Sequence, residues 1–502
     1  MIEIEPADAY NQLLVSHVHP ADWINPTPRG RYNLIAIGGG TAGLISALGA
    51  AGLGARAAIV ERHLLGGDCL NYGCVPSKAL IRCARAARQV QLAPNFGCGG
   101  ASSVQVDFAA VMERMRRLRA RISHHDSAQR LSAMGVDVFL GDATFSGTST
   151  IEVGGRRLEF RRAVIATGTR PSVPELDGLN DISYLTNETV FSLTQLPARL
   201  LVLGIGPIGC ELAQAFRRFG SEVHLVGRRE ALLPKEDPEA VRVILRQFEE
   251  EGIHLHLGWQ PLRAERTGDA RCLLIERGGE RRKILADEIL VAVGRRPNVE
   301  GLNLEKAGIR CGPDGVEVDD RLRTTNARVF AAGDVCSKVR FTHAADASAR
   351  LVVRNALFWG RRRAGSLVIP RCTFTDPEVA HVGLTRAEAR ERHVEIDSFR
   401  VALSDVDRAV LDGEELGFAV VHVRRGTGRV VGATIVAEHA GDLIAEVTLL
   451  MTRRLSLGTL ADTIHCYPTQ GEVLKRIADS YLRTQLTPSV AGWLRRWFAW
   501  RR

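Results

Sequence analysis

A chain of 502 residues, 45% apolar and 25% charged, has the composition of a globular protein large enough for two to four domains with buried cores. Its formal net charge of +9 comes almost wholly from arginines dispersed along the chain, and no zinc-knuckle or RNA-binding signature accompanies them, so no nucleic-acid partner is expected. Ten cysteines in this length exclude a disulfide scaffold, the acidic start Met1-Ile2-Glu3-Ile4-Glu5 has no apolar signal core, and no apolar run of ~20 residues is present to span a bilayer; a reducing cytoplasm is expected.

Residues 1–30, with Pro6, Pro20, Pro26 and Pro28, read as an irregular surface arm. From Arg31 the pattern becomes α/β. Residues 33–37 form a buried strand, Gly38-Gly39-Gly40-Thr41-Ala42-Gly43 a tight turn, residues 44–52 a small-residue helix and residues 57–61 the next strand, ending at Glu61. Such βαβ order implies a parallel sheet with covered faces. Gly38, Gly40 and Gly43 let the backbone approach a pyrophosphate at a helix N-terminus, and Glu61 can accept from an adenosine ribose hydroxyl.

The run Gly66-Gly67-Asp68-Cys69-Leu70-Asn71-Tyr72-Gly73-Cys74-Val75-Pro76-Ser77-Lys78 follows. Five residues of regular helix rise ~7.5 Å, whereas a disulfide needs Cα atoms roughly 4.4–6.8 Å apart. The segment must therefore bend if Cys69 and Cys74 pair, and Gly73 supplies the freedom. In a reducing compartment such a pair is redox-active rather than a staple. A thiolate at a first helical turn has a lowered pKa; beside a flavin, one cysteine would be its partner and the other the attacking thiol.

The nucleotide unit recurs mid-chain, with a strand at 200–203, the turn Gly204-Ile205-Gly206-Pro207-Ile208-Gly209, a helix at 210–219 and a strand at 222–226. Two fingerprints mean two dinucleotides. Where the first unit has Glu61, the second reads Gly227-Arg228-Arg229, and arginine suits a 2′-phosphate. NADPH is expected over NADH, with Arg228 the main contact and Arg229 or Lys235 helping; NADH stays as the alternative. After Pro370 the chain shifts to alternating strands and amphipathic helices without a third fingerprint. The last residues, Trp493 to Arg502, are basic and aromatic, suited to an anionic membrane surface, to packing on a dimer or to remaining loose.

The motif Gly-Gly-Asp-Cys-x4-Cys-Val-Pro-Ser-Lys at 66–78 resembles the class I pyridine nucleotide–disulfide oxidoreductases, which include dihydrolipoamide dehydrogenase, glutathione reductase and mercuric reductase. Further pieces agree in order: Ala166-Thr167-Gly168 and Val293-Gly294-Arg295-Arg296-Pro297-Asn298 resemble the domain crossovers, Ala331-Ala332-Gly333-Asp334 the second flavin motif, and residues 374–383 the start of the dimerisation domain. The resemblance covers about residues 31–485. It implies an α/β fold of two Rossmann-like dinucleotide-binding domains plus a C-terminal α+β dimerisation domain, with FAD and NADPH as cofactors and a homodimer as the assembly. The expected divisions are an N-terminal arm (1–30), an FAD-binding domain in two parts (31–176 and 298–369), an NAD(P)-binding domain (177–297), the dimerisation domain (370–485) and the tail (486–502).

The resemblance also implies roles. Cys74 faces the isoalloxazine and Cys69 faces substrate. Lys78 and Glu211 match an ion pair near the flavin, Asp334 the ribityl contact, and Thr167, Gly168, Gly333 and Gly294 cofactor-binding turns. His343, at a predicted helix start, is read as a packing or hydrogen-bonding residue. Disulfide-reducing members carry His-Pro-Thr-x-x-Glu from the opposite subunit, whose His shuttles a proton and whose Glu orients it. Here Tyr467 precedes Pro468, with Glu472 four residues beyond the proline. A phenol of pKa ~10 is a poor base at neutral pH. Mercuric reductases are similar in placing Tyr there, because a thiophilic ion needs ligands. His465, two residues earlier, can share a face with Tyr467 on an extended segment, and in the alternative disulfide-reductase reading it takes the base role. Two departures from mercuric reductases stand out: the sequence ends Trp-Arg-Arg instead of a vicinal Cys pair, and no N-terminal metal-binding domain is seen. Cys466 is a candidate substitute ligand, or a small buried hydrophobe. Cys83, Cys98, Cys210, Cys272, Cys311, Cys336 and Cys372 show no ligand spacing, so no resident metal is expected.

The expected acceptor is a small molecule or metal ion, most simply Hg(II). The alternatives are a dihydrolipoamide-dehydrogenase-like disulfide reductase and a membrane-peripheral donor to a quinone or protein.

Overall fold

The computed structural model describes residues 2–99, 105–358 and 360–502. The chain divides into two compact units, residues 1–230 with 251–367 and residues 231–250 with 368–502.

The first unit holds both nucleotide sheets. Strand β1 (Tyr32–Ile37) lies between β2 (Ala57–Glu61) and the strand Arg156–Ile165, parallel to both. Strand β3 (Val136–Leu140) extends the sheet beyond β2, and Val329–Ala331 joins it parallel to Arg156–Ile165. Helix α2 (Thr41–Gly52) crosses from β1 to β2 and buries Leu44, Ala47 and Ala50. β1 and β2 read as nearly continuous apolar runs because both faces of a parallel sheet are covered. The second sheet is parallel throughout, in the order His254–Leu257, Glu222–Gly227, Arg199–Leu203, Glu288–Val291. A three-stranded antiparallel sheet (Gln260–Thr267, Ala270–Arg277, Glu280–Ala286) supplies Leu273 and Ile275 to a core shared with Leu201, Leu203 and Val226.

The arm differs from expectation. Residues 1–30 contain helix α1 (Ala9–Val18), capped by the Asp8 side chain accepting from the Asn11 N–H and burying Leu14 and Val18 completely. Beyond it, Trp23 Nε1 donates to the Val138 carbonyl, and Asn25 exchanges two hydrogen bonds with the Leu140 backbone. The prolines flank this structure and do not dissolve it; the segment satisfies the otherwise open edge of β3.

The second unit is built on a five-stranded antiparallel sheet ordered Arg371–Thr373, Glu378–Gly383, Val430–Ala437, Phe418–Arg424, Ile396–Ala402. Helices Ala440–Arg453 and Glu472–Gln485 bury Ile444, Val447, Val473 and Ile477 in its core. The helix Pro238–Glu250 belongs to this unit, although it lies within the stretch expected to be the NAD(P)-binding domain. The basic tail is helical over Pro488–Trp500 and buries none of its residues.

Candidate active site

The two glycine turns are built alike. A Cβ on Gly43 would lie 1.7 Å from the Gly38 carbonyl oxygen, and one on Gly209 would lie 1.9 Å from that of Gly204. Each third glycine therefore lets its helix, α2 or Pro207–Phe219, seat its N-terminus against the turn. Gly40 and Gly206 cap those helices without a side chain in the way. Glu61, at the end of β2, accepts from the Gly39 and His63 backbone N–H groups, and burial raises its carboxyl pKa. Arg228 and Arg229 stand exposed just past Glu222–Gly227, and neither side chain has a partner among the described residues. These donor sets fit a pyrophosphate at each turn, a ribose hydroxyl at Glu61 and a phosphate at the arginine pair.

Between the turns lies the cysteine segment. Helix α3 (Gly67–Asn71) carries Cys69 and ends at Tyr72; helix α4 (Cys74–Leu92) begins at Cys74. The bend inferred from spacing is this break at Tyr72 and Gly73. A Cβ on Gly73 would come 2.9 Å from the Asp68 carbonyl oxygen, and one on Gly67 would come 2.6 Å from Gly40 Cα. The segment thus packs directly on the first nucleotide turn. Both cysteines are free thiols in this structure, Cys69 half-buried and Cys74 exposed. A hydrogen bond from Cys69 lowers the Cys74 pKa to about 6, aided by Thr342, whose Oγ1 lies 3.3 Å from the sulfur, and by the Lys78 charge. The same bond, with burial, pushes the Cys69 thiol well up. One sulfur is a thiolate at neutral pH and the other keeps the proton.

Lys78 Nζ lies 2.6 Å from Glu211 Oε2, on helix Pro207–Phe219. The crossovers meet as an antiparallel pair, Thr169–Pro171 with Arg295–Pro297. Thr167 Oγ1 donates to the Asn298 carbonyl at 2.6 Å, and Asn298 N–H donates to the Gly168 carbonyl. The Gly294 carbonyl accepts from the Ser172 N–H. Asp334 accepts from Thr169 Oγ1 at 3.2 Å, and burial raises its carboxyl pKa. Gly333 N–H reaches Ser348 Oγ on the helix Thr342–Leu357, where His343 stacks on Phe341.

These features have a match among known families. The model of the "Pyridine nucleotide-disulphide oxidoreductase" family matches residues 32–349, and that of its "dimerisation domain" matches residues 369–478. The chain belongs to the pyridine nucleotide–disulphide oxidoreductases. As a member it is an FAD-dependent NAD(P)H oxidoreductase with a disulfide-based redox centre, and its dimerisation domain supports a homodimer. A mercuric reductase of Streptomyces lividans is 36% identical over 456 residues, covering 90% of this chain and 96% of the relative. A dihydrolipoyl dehydrogenase of Geobacillus stearothermophilus is 31% identical over 458 residues, with the same coverage. The solved structure of the HOCl-induced flavoprotein disulfide reductase RclA from Escherichia coli superposes with a TM-score of 0.80 at 26% identity, covering 89% of this chain and 99% of RclA.

The dimerisation domain places the remaining expected residues. Tyr467 is exposed, and its hydroxyl donates to Asp407 Oδ2 at 2.9 Å, which raises the phenol pKa. Arg476 bridges Asp407 Oδ1 at 3.0 Å and Glu472 Oε1 at 3.1 Å. Neither Asp407 nor Arg476 was singled out from the sequence; the i,i+4 spacing of Glu472 and Arg476 was the available signal for one, and Asp407 comes from a remote helix. Cys466 is exposed rather than a buried hydrophobe. His465 departs from the expectation that it shares a face with Tyr467. Its side chain is 7% exposed and turned inward, with Nδ1 3.1 Å from the Thr463 carbonyl and Nε2 3.3 Å from Glu446. Those contacts turn the ring toward Glu446 on the helix Ala440–Arg453.

Proposed function

We propose that this oxidoreductase uses NADPH to reduce a thiophilic metal ion, with Hg(II) as the acceptor. The observation that carries the reading is Tyr467 at the base position, its phenol held above the ordinary range by Asp407 while His465 is committed elsewhere. A site without a positioned base returns a proton to an organic thiolate roughly 100- to 10,000-fold more slowly, but a metal ion needs none. The net reaction, NADPH + Hg(II) → NADP⁺ + H⁺ + Hg(0), moves two electrons and releases the proton that a disulfide substrate would consume.

FAD, held by the Gly38–Gly43 turn, Glu61 and Asp334, supplies the two-electron link between nicotinamide and sulfur. Every other role belongs to side chains. Arg228 and Arg229 bind the 2′-phosphate. Lys78, paired with Glu211, supplies a cation beside the Cys74 end of α4. The Cys74 thiolate is kept by Cys69 and Thr342, and Cys69 gives up its proton when a soft cation binds both sulfurs. Cys466 and Tyr467, exposed on the dimerisation domain, are the groups a second protomer brings to that ion.

The test is an acceptor panel with purified holoenzyme. Hg(II)–thiol complexes should drive NADPH oxidation, and lipoamide and glutathione disulfide should not. Turnover with lipoamide exceeding that with Hg(II) would favour the disulfide-reductase reading. The reactive pair suits a reducing compartment, and we assign the protein to the cytoplasm.

A second reading rests on the tail. Val490, Trp493, Trp497 and Trp500 recur at helical spacing and are all exposed, and Trp493 and Trp497 stack at 5.8 Å. Four arginines and no acid lie between residues 486 and 502. This is the pattern of a helix lying on an anionic bilayer, where the enzyme would donate electrons to a quinone or protein. No helix among the described residues is long and apolar enough to cross a membrane. Flotation with phosphatidylserine vesicles tests it; equal flotation after deletion of residues 488–502 would dispose of it.

A further inference from the structure

The sheet of the second nucleotide unit ends at the strand His254–Leu257, which pairs parallel with Glu222–Gly227 in the register His254 opposite His224. Side chains two apart on a strand share a face. Glu222 and His224 therefore stand beside His254 and His256, although about thirty residues separate the pairs in sequence. Donor atoms of Glu222, His224 and His254 all lie within 4.8 Å of one another. His224 Nε2 is 3.1 Å from Glu222 Oε1, and His254 Nε2 is 3.9 Å from the same oxygen. Ligands at zinc bond lengths stand about 3.4 Å apart in a tetrahedron.

We propose that Glu222, His224 and His254 form a three-ligand site for a divalent transition-metal ion of the zinc class, with His256 orienting the His224 ring and a fourth coordination position open to solvent.

Two further observations support the site. His224 Nδ1 lies 3.0 Å from His256 Nε2, so the ring nitrogen facing away from the ion is already bonded, the usual arrangement behind a metal-bound imidazole. The rings are neighbours, with centroids 4.6 Å apart for His224 and His254 and 5.3 Å apart for His224 and His256, and the exposed His254 ring has room to turn its Nε2 onto an ion held in the plane of His224.

Imidazole with one carboxylate selects zinc, copper or nickel over the soft ions that prefer thiolate. The site lies at the N-terminal half of Glu222–Gly227, whereas Arg228 follows its C-terminal end. Four residues of strand, ~13 Å, separate His224 from Arg228, so bound metal would pin the sheet edge without touching the arginine pair.

Co²⁺ titration of the oxidised, FAD-loaded protein tests the proposal, since the oxidised state removes the Cys69–Cys74 thiols as ligands. The expected result is one Co²⁺ per chain, with visible d–d bands of a four-coordinate ion and no sulfur charge-transfer band. His254→Gln and Glu222→Gln should abolish those bands while FAD content and NADPH turnover are kept. His256→Gln should weaken binding by roughly 10- to 100-fold. No four-coordinate spectrum, a spectrum unchanged by His254→Gln, or a sulfur band showing that exposed cysteines hold the ion would each overturn it.

Discussion

Lys78 Nζ and Glu211 Oε2, 2.6 Å apart, tie the helix that begins at Cys74 to the helix that begins at the second glycine turn. The carboxylate is 8% exposed and the lysine 34%. Replacing Lys78 with Met removes the cation from a buried anion, so we expect a loss of about 2 kcal/mol and a fall in NADPH-dependent turnover, with partial rescue by Lys78→Arg. Thermal melts and steady-state rates measure both; a variant matching wild type in each would show the pair to be incidental.

The thiol titration has a definite sign. The folded-state pKa of Cys74 is lowered to about 6, so its thiolate is present at neutral pH and lost as pH falls through that value. The stability the thiolate confers is therefore full above the ordinary thiol range and disappears below about pH 6. In the reduced protein, ultraviolet thiolate absorbance should show a step near pH 6 that vanishes in Cys74→Ser. A single step at the ordinary thiol value in both proteins would contradict the assignment.

Much of this site was legible in the sequence because it depends on local backbone requirements. The glycine turns, β1, β2 and the break before Cys74 each follow from what a short stretch can do. The misses depend on long-range partners. The arm became helix α1 because Arg116 and Arg119, over a hundred residues away, engage Asp8 and Asn11. His465 turned inward because Glu446 lies on a neighbouring helix. The Glu222–His224–His254 cluster exists only through strand register, which no linear spacing displays.

Nucleotide preference rests on two exposed arginines. Arg228→Ala should raise the KM for NADPH about 10-fold or more and leave that for NADH unchanged. Equal effects on the two nucleotides would remove the 2′-phosphate assignment.

The acceptor reading predicts a gain of function. Tyr467→His restores a base with pKa near ~6.5 ahead of Pro468, and positioned bases contribute ~100-fold or more. Lipoamide turnover should rise by at least that order, while Hg(II) turnover should not improve. No gain would mean that residue 467 does not face the redox cysteines across the dimer.

The relay from nicotinamide through flavin to paired sulfurs is tested most directly by anaerobic reductive titration of the FAD-loaded protein. Wild type should take up two electrons on the flavin and two more on the Cys69–Cys74 disulfide, twice the reductant per FAD consumed by Cys69→Ser. Identical uptake by the two proteins would contradict the account.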